Sequence, residues 1–159
     1  MKKLGLTCLL LAAIGLTSCK NNDAEKKPAV MEIGEPINVA CYKSIYEQDT
    51  LTLKINTFKN GEIKGDMVMA IKNLPKKTGV IVGEFRGDTL FANYTFIQGT
   101  FKAKTFKNPM AFLKRDNQLI LGKGKIETTM GASYFIKGDP IDFDKVKYKF
   151  NVVDCETKQ

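Results

Sequence analysis

From Val39 onward the apolar positions recur mainly with a period of two, and turn residues interrupt them about every eight to twelve positions. Because successive side chains of a strand point to opposite faces, this pattern predicts antiparallel strands with one buried face. The first covers about 39–46 and turns near Gln48-Asp49. Leu51, Leu53 and Ile55 share one face of the second, with Thr50, Thr52 and Lys54 on the other. Asn60-Gly61 predicts a type I′ hairpin, in which both central residues take positive φ. Ile63, Met67, Met69 and Ile71 then resume the inward face. Residues 73–78 read as a loop broken by Pro75, and 79–85 as a fourth strand. Arg86-Gly87-Asp88, an adhesion tripeptide elsewhere, is explained by turn chemistry between two strands. Leu90, Ala92, Tyr94 and Phe96 face one side of a fifth strand. A sixth over 99–107 turns Phe101 and Ala103 inward, a seventh covers 110–113 and an eighth 118–126. Segments 134–136 and 148–153 complete the series. No segment sustains a helical period, and Pro140 argues against the one short turn that 139–146 offers.

Glycines at 65, 79, 83, 99, 122 and 124 lie in or beside these strands. There they weaken a sheet unless it bends or a neighbour comes close. Repeated along a chain they suit a sheet that coils and closes on itself. The pattern therefore predicts an all-β fold: a single antiparallel up-and-down barrel of eight to ten strands, which leaves no exposed edge. Lys54, Lys64, Lys102, Lys104 and Lys149 would interrupt the lipid-facing band of a membrane-spanning barrel, so that variant is not expected. Whether the interior is open or filled by side chains is left undecided by the pattern.

The N-terminal stretch has a different character. Lys2 and Lys3 precede an apolar run from Leu4 to Leu16, too short for the roughly 20 residues of a membrane-spanning helix, which reads as an export signal. It ends in Leu16-Thr17-Ser18-Cys19, which resembles the lipobox of bacterial lipoprotein precursors. That resemblance implies cleavage before Cys19 and lipidation of its thiol, with two or three acyl chains anchoring the protein stably. Lys20 stands where an aspartate would retain the protein at the inner membrane, so the expected address is the cell envelope, at the outer membrane. The polar stretch that follows has nothing to bury and reads as a disordered tether. The expected organisation is thus a signal peptide over 1–18, lipidated cysteine and tether over 19–36, and a barrel domain over 37–159.

Of the four cysteines, Cys8 would leave with the signal and Cys19 would be lipidated. Cys41 and Cys155 remain, one near each end of the body, and in an oxidising compartment a disulfide between them is expected. It would pin the first strand to the last across the seam of the barrel. A metal or redox site is the weaker alternative, because the spacing is unlike CxxC and the chain has no histidine.

The body also looks like a family of small uncharacterised Gram-negative lipoproteins with a lipocalin-like, or calycin-like, β-barrel. The resemblance runs through Cys41-Tyr42, Asp49-Thr50-Leu51, Gly61, Gly65, Gly79, Gly83 and Gly87-Asp88-Thr89-Leu90. It continues in Ala92-Asn93-Tyr94-Thr95-Phe96, Gly99, Ala111-Phe112 and Val153-Asp154-Cys155. These are turn and core positions, and the resemblance implies a fold but no activity. Gln98 and the lysines of 102–107 depart from the family pattern, so no role carries over to those positions.

Charge divides the body. Residues 28–99 hold eight basic and eight acidic side chains, whereas 100–159 hold twelve and seven. Lys102, Lys104, Lys123 and Lys125 typify the excess, which reads as a solvated face that discourages strand aggregation or as a basic patch for an anionic surface. Nucleic acid is not an expected partner in the envelope. With no histidine, the commonest general base and the usual serine triad are missing, and no catalytic residue, metal site or cofactor is expected. Asp139, Asp142 and Asp144 alternate like calcium ligands but lack the glycine turn and closing glutamate of an EF-hand, so a solvated loop is expected.

Two functions follow. One is a tethered, non-enzymatic module that binds a small apolar or lipid-like ligand, with Tyr94, Phe96 and Phe101 facing it. Glu84 joins them if its face points inward, where a carboxylate needs a partner, and is a surface charge if it points outward. The other is an accessory lipoprotein docking on an envelope protein or anionic glycan through the lysine-rich half.

Overall fold

A computed structural model describes residues 34–155. The signal segment, the lipidation of Cys19 and most of the tether expected above fall outside those residues.

Ten strands follow one another: β1 (Asn38–Tyr46), β2 (Asp49–Thr57), β3 (Glu62–Ala70), β4 (Lys77–Arg86), β5 (Thr89–Gln98), β6 (Phe101–Arg115), β7 (Gln118–Leu121), β8 (Ile126–Thr129), β9 (Ala132–Phe135) and β10 (Lys149–Val153). Eight of them close into an antiparallel barrel in the order β1-β10-β7-β6-β5-β4-β3-β2, while β8 and β9 form a separate two-stranded hairpin. The alternation read from the sequence sets the register. Leu51, Leu53 and Ile55 stand opposite Met69, Met67 and Gly65, all on the inner face. Burying each large aliphatic side chain contributes about 1.5–3 kcal/mol, against the cost of ordering the chain. Lys43 and Lys54 point outward, so the apolar face is inside and the polar face outside, the reverse of a membrane-spanning barrel.

Two inward glycines explain how the wall bends. Gly79 and Gly83 on β4 face Phe96 and Ala92 on β5. A Cβ at either position would collide with the β5 backbone, at Thr95 and Phe96 or at Phe91 and Ala92. Ile81 between them is fully buried. The disulfide forms as expected: Cys41 and Cys155 are bonded with Cα atoms 5.2 Å apart and 114 residues of separation. It lies beside the β1–β10 seam, where Cys41 pairs with Val153. Every barrel strand and both cysteines lie between Asn38 and Cys155, so this stretch carries its own core and closure.

Several expectations are corrected. The sixth and seventh strands are one 15-residue strand, β6, containing Pro109. Proline is tolerated there because β7 pairs only with Phe112–Arg115, leaving the rest of β6 without a β7 neighbour. Ala103 is exposed rather than inward, because the register slips between Phe96 and Gln98: Phe106 faces Phe96, and Phe101 faces Gln98. The expected eighth strand stops at Leu121, and beyond it Lys123 makes a single bridge to Asp142. At Asn60-Gly61 only the glycine has positive φ, at 82°. The Gly61 N–H donates to the Phe58 carbonyl and the Phe58 N–H to the Glu62 carbonyl, so the loop is one residue longer than a type I′ hairpin. Met130 and Gly131, between β8 and β9, do both have positive φ, at 51° and 80°.

The strand pairings define two ends. At one lie the β2–β3, β4–β5 and β6–β7 turns, the start of β1 and the disulfide. At the other lie the β1–β2, β3–β4 and β5–β6 connections and the long excursion between β7 and β10.

Candidate binding cavity

The second end is incompletely walled. β6 runs 15 residues but its neighbour β7 only four, and β10 pairs with β7 over just Lys149–Asn151. The gap between β6 and β10 is bridged by irregular chain. The Leu121 N–H donates to the Tyr148 carbonyl, and Lys123 and Asp142 exchange backbone hydrogen bonds of 2.8 and 2.9 Å. Glycines permit this closeness: Ile141 and Phe143 occupy the space where Gly122 would carry a side chain, and Phe135 does so at Gly124.

Behind this bridge lies a cavity of about 420 Å³. Met69, Tyr94, Phe96 and Met110 form its barrel wall, and Leu121, Ile126, Phe135 and Tyr148 belong to or flank the bridging chain. Deeper toward the disulfide end the interior is filled by Leu53, Ile63, Ile81, Leu90, Phe112 and Phe150. The barrel is therefore packed at one end and hollow at the other.

The aromatic wall is rigidly held. Tyr94 stacks on Phe96 with centroids 4.7 Å apart, and Phe96 on Phe106 at 5.6 Å. The buried Tyr94 hydroxyl donates to the Met67 carbonyl at 3.0 Å, and burial pushes its pKa up to about 12. It is thus a neutral anchor, with its hydrogen directed away from any acid–base work. Tyr148 is anchored similarly: its hydroxyl donates to Asp49 at 2.8 Å, and burial, with the neighbouring carboxylate, raises its pKa to about 12. The Lys72 backbone N–H and that hydroxyl hold Asp49 below the usual carboxylate range. This chain of bonds ties the bridging segment to two barrel turns.

Of the residues singled out in the sequence, Tyr94 and Phe96 line the cavity. Phe101 opens β6 opposite Gln98, and its side chain lies outside the described set. Glu84 does not face the interior. It shares the outer face of β4 with exposed Val80 and Val82, and its carboxylate accepts hydrogen bonds from Arg86 at 2.7–2.8 Å. With Arg86, Asn93 and Tyr134 it borders a second, more polar hollow of about 770 Å³. The lysine patch divides. Lys123 lines the cavity, Lys104 lies 5.1 Å from the Phe106 ring centroid, Lys125 is paired with Asp139 at 3.0 Å, and Lys102 is exposed. The three aspartates do not converge on one point. Asp139 pairs with Lys125, Asp144 with Arg115, and Asp142 accepts the backbone N–H groups of Asp144 and Lys145, which lower its pKa.

Sequence reasoning missed Lys77, Met110, Leu121, Phe135 and Tyr148 as cavity residues. Lys77 carried a signal: it lies on the same strand face as Gly79 and Ile81. Met110 and Leu121 lie on β6 and β7 beside the gap in the wall, and Phe135 and Tyr148 depend on how the excursion after β7 folds back, which period-two alternation does not encode.

The barrel has a lipocalin-like, or calycin-like, fold: one closed, eight-stranded, up-and-down antiparallel barrel, here with a hollow end. No family model, curated protein or solved structure matches the chain.

Proposed function

We propose that this protein is a non-enzymatic binding module that holds a small apolar or lipid-like molecule in the hollow end of its barrel, while lipid chains on Cys19 tether it in the cell envelope. The observation that carries the reading is the cavity itself. Its volume of about 420 Å³ lies within the range of small-molecule sites, and aromatic, Met and Leu side chains make most of its wall. Lipidation rests on the resemblance of Leu16-Thr17-Ser18-Cys19 to a lipobox. The chain enters β1 at the end opposite the cavity. The absence of histidine from the sequence supports a binding role over catalysis.

Native mass spectrometry of protein purified from its own envelope tests the reading. A retained small molecule, lost on substituting Met110→Trp to fill the cavity, is the expected result; protein of bare mass that also ignores added apolar probes overturns it. An accessory role through the lysine-rich half has less support, because Lys125 is ion-paired and Lys123 belongs to the cavity.

A further inference from the structure

The charged side chains that line the cavity among the described residues are all lysines, Lys77, Lys123, Lys145 and Lys147, with the carboxylates of Asp49 and Asp142 just outside the lining. Among the described residues none of the four forms an ion pair. Two ionised carboxylates partly offset them: Asp49, which accepts from Tyr148 and the Lys72 N–H, attracts Lys147, and Asp142, which accepts from the Asp144 and Lys145 N–H groups, attracts Lys123 and Lys145, so four positive charges face two negative ones. Lys77 rises from the inner face of β4, half-buried, with its ammonium 5.1 Å from the Phe96 ring centroid. Lys147 lies 5.3 Å from the Tyr46 ring centroid, beside the Tyr148 anchor. The lysines thus come from three separate elements: β4, the stretch after β7 and the stretch before β10.

The excess of positive charge along the cavity lining is self-repelling, and low-dielectric walls focus its field into the cavity. A neutral occupant leaves that repulsion in place, while an anionic group at the mouth relieves it. Resting on the apolar-ligand reading above, we infer that the ligand is an amphipathic anion. Its hydrocarbon part lies against Tyr94, Phe96, Met69 and Met110, and its carboxylate lies among the four lysine ammonium groups. Long-chain carboxylates are the ligand class.

The test is calorimetric titration of the chain from Lys20 onward, which keeps every strand and the disulfide. The probes are dodecanoate, dodecanol and dodecyltrimethylammonium, below their micelle-forming concentrations and near about pH 8, where the carboxylate is ionised. The expected result is dodecanoate binding about tenfold tighter than dodecanol, equivalent to about 1.4 kcal/mol, with the cation weakest. Added salt should shrink this preference. Replacing the four lysines together by methionine should abolish the preference for dodecanoate over dodecanol, whereas replacing all four by arginine should retain it. Equal affinity for dodecanoate and dodecanol overturns the anion inference and leaves the apolar cavity standing. Failure of all three probes to bind overturns the apolar reading itself.

Discussion

The two halves of the barrel wall are built differently. From β1 to β5 each strand is nine or ten residues long and pairs with its neighbour over nearly its whole length. From β6 to β10 a 15-residue strand stands beside one of four residues, and irregular chain completes the wall. The continuous half supplies most of the core and the aromatic wall, and the discontinuous half supplies the opening. A short β7 keeps the hollow end from being zipped shut, and the β7–β10 excursion brings lysines and apolar side chains to it.

The seam where the halves meet should give the largest effect if broken. Replacing Cys41 and Cys155 by serine removes a link spanning 114 residues and is expected to cost about 2–5 kcal/mol, read as a lower denaturation midpoint. Unchanged stability would show that β1–β10 pairing alone closes the barrel. Within the continuous half, Leu53→Ala removes a side chain only 2% exposed and is expected to cost about 3 kcal/mol while leaving ligand affinity intact. Leu121→Ala in the discontinuous half should reverse that balance, with a smaller stability loss and a changed affinity. Similar behaviour of the two variants would erase the proposed division.

Alkaline pH probes the aromatic wall. The folded pKa of Tyr94, about 12, exceeds the unfolded value of about 10. Its contribution is therefore whole below about pH 10 and is lost as pH rises through about 12. Urea denaturation across this window should show a loss of up to about 2–3 kcal/mol attributable to Tyr94, which Tyr94→Phe removes. An identical pH profile for the variant would place that sensitivity elsewhere.

The smallest effect concerns Ser44, fully buried on β1, whose hydroxyl has no hydrogen-bond partner among the described residues. Ser44→Ala is expected to stabilise the protein by about 1 kcal/mol in the same assay, because an unpaired buried hydroxyl is costly. Destabilisation would indicate a partner for that hydroxyl.

The continuous half was the legible one. Leu51, Leu53 and Ile55, then Leu90, Ala92, Tyr94 and Phe96, alternate cleanly because each strand has one wet and one dry face. Gly79 and Gly83 signalled the close approach that bends the wall. The second half resisted for physical reasons. In β6 the register slip between Phe101 and Phe106 breaks the parity that placed Ala103 inward, and the strand runs on through Pro109 because it lacks a second neighbour there. Gly122 and Gly124 are occupied by Ile141, Phe143 and Phe135, contacts fixed by tertiary folding of a loop. Tyr94 and Phe96 could be proposed for the site because they belong to the regular half; Phe135 and Tyr148 could not.

Methionine methyl groups report directly on the hollow end. Met69 and Met110 line the cavity, Met67 is fully buried and Met130 is fully exposed on the β8–β9 turn. In a carbon-13 methyl-methionine NMR titration with dodecanol, the Met69 and Met110 signals should shift in step and saturate, while Met130 stays fixed. Saturating binding that leaves Met69 and Met110 unmoved would contradict a ligand site inside this barrel.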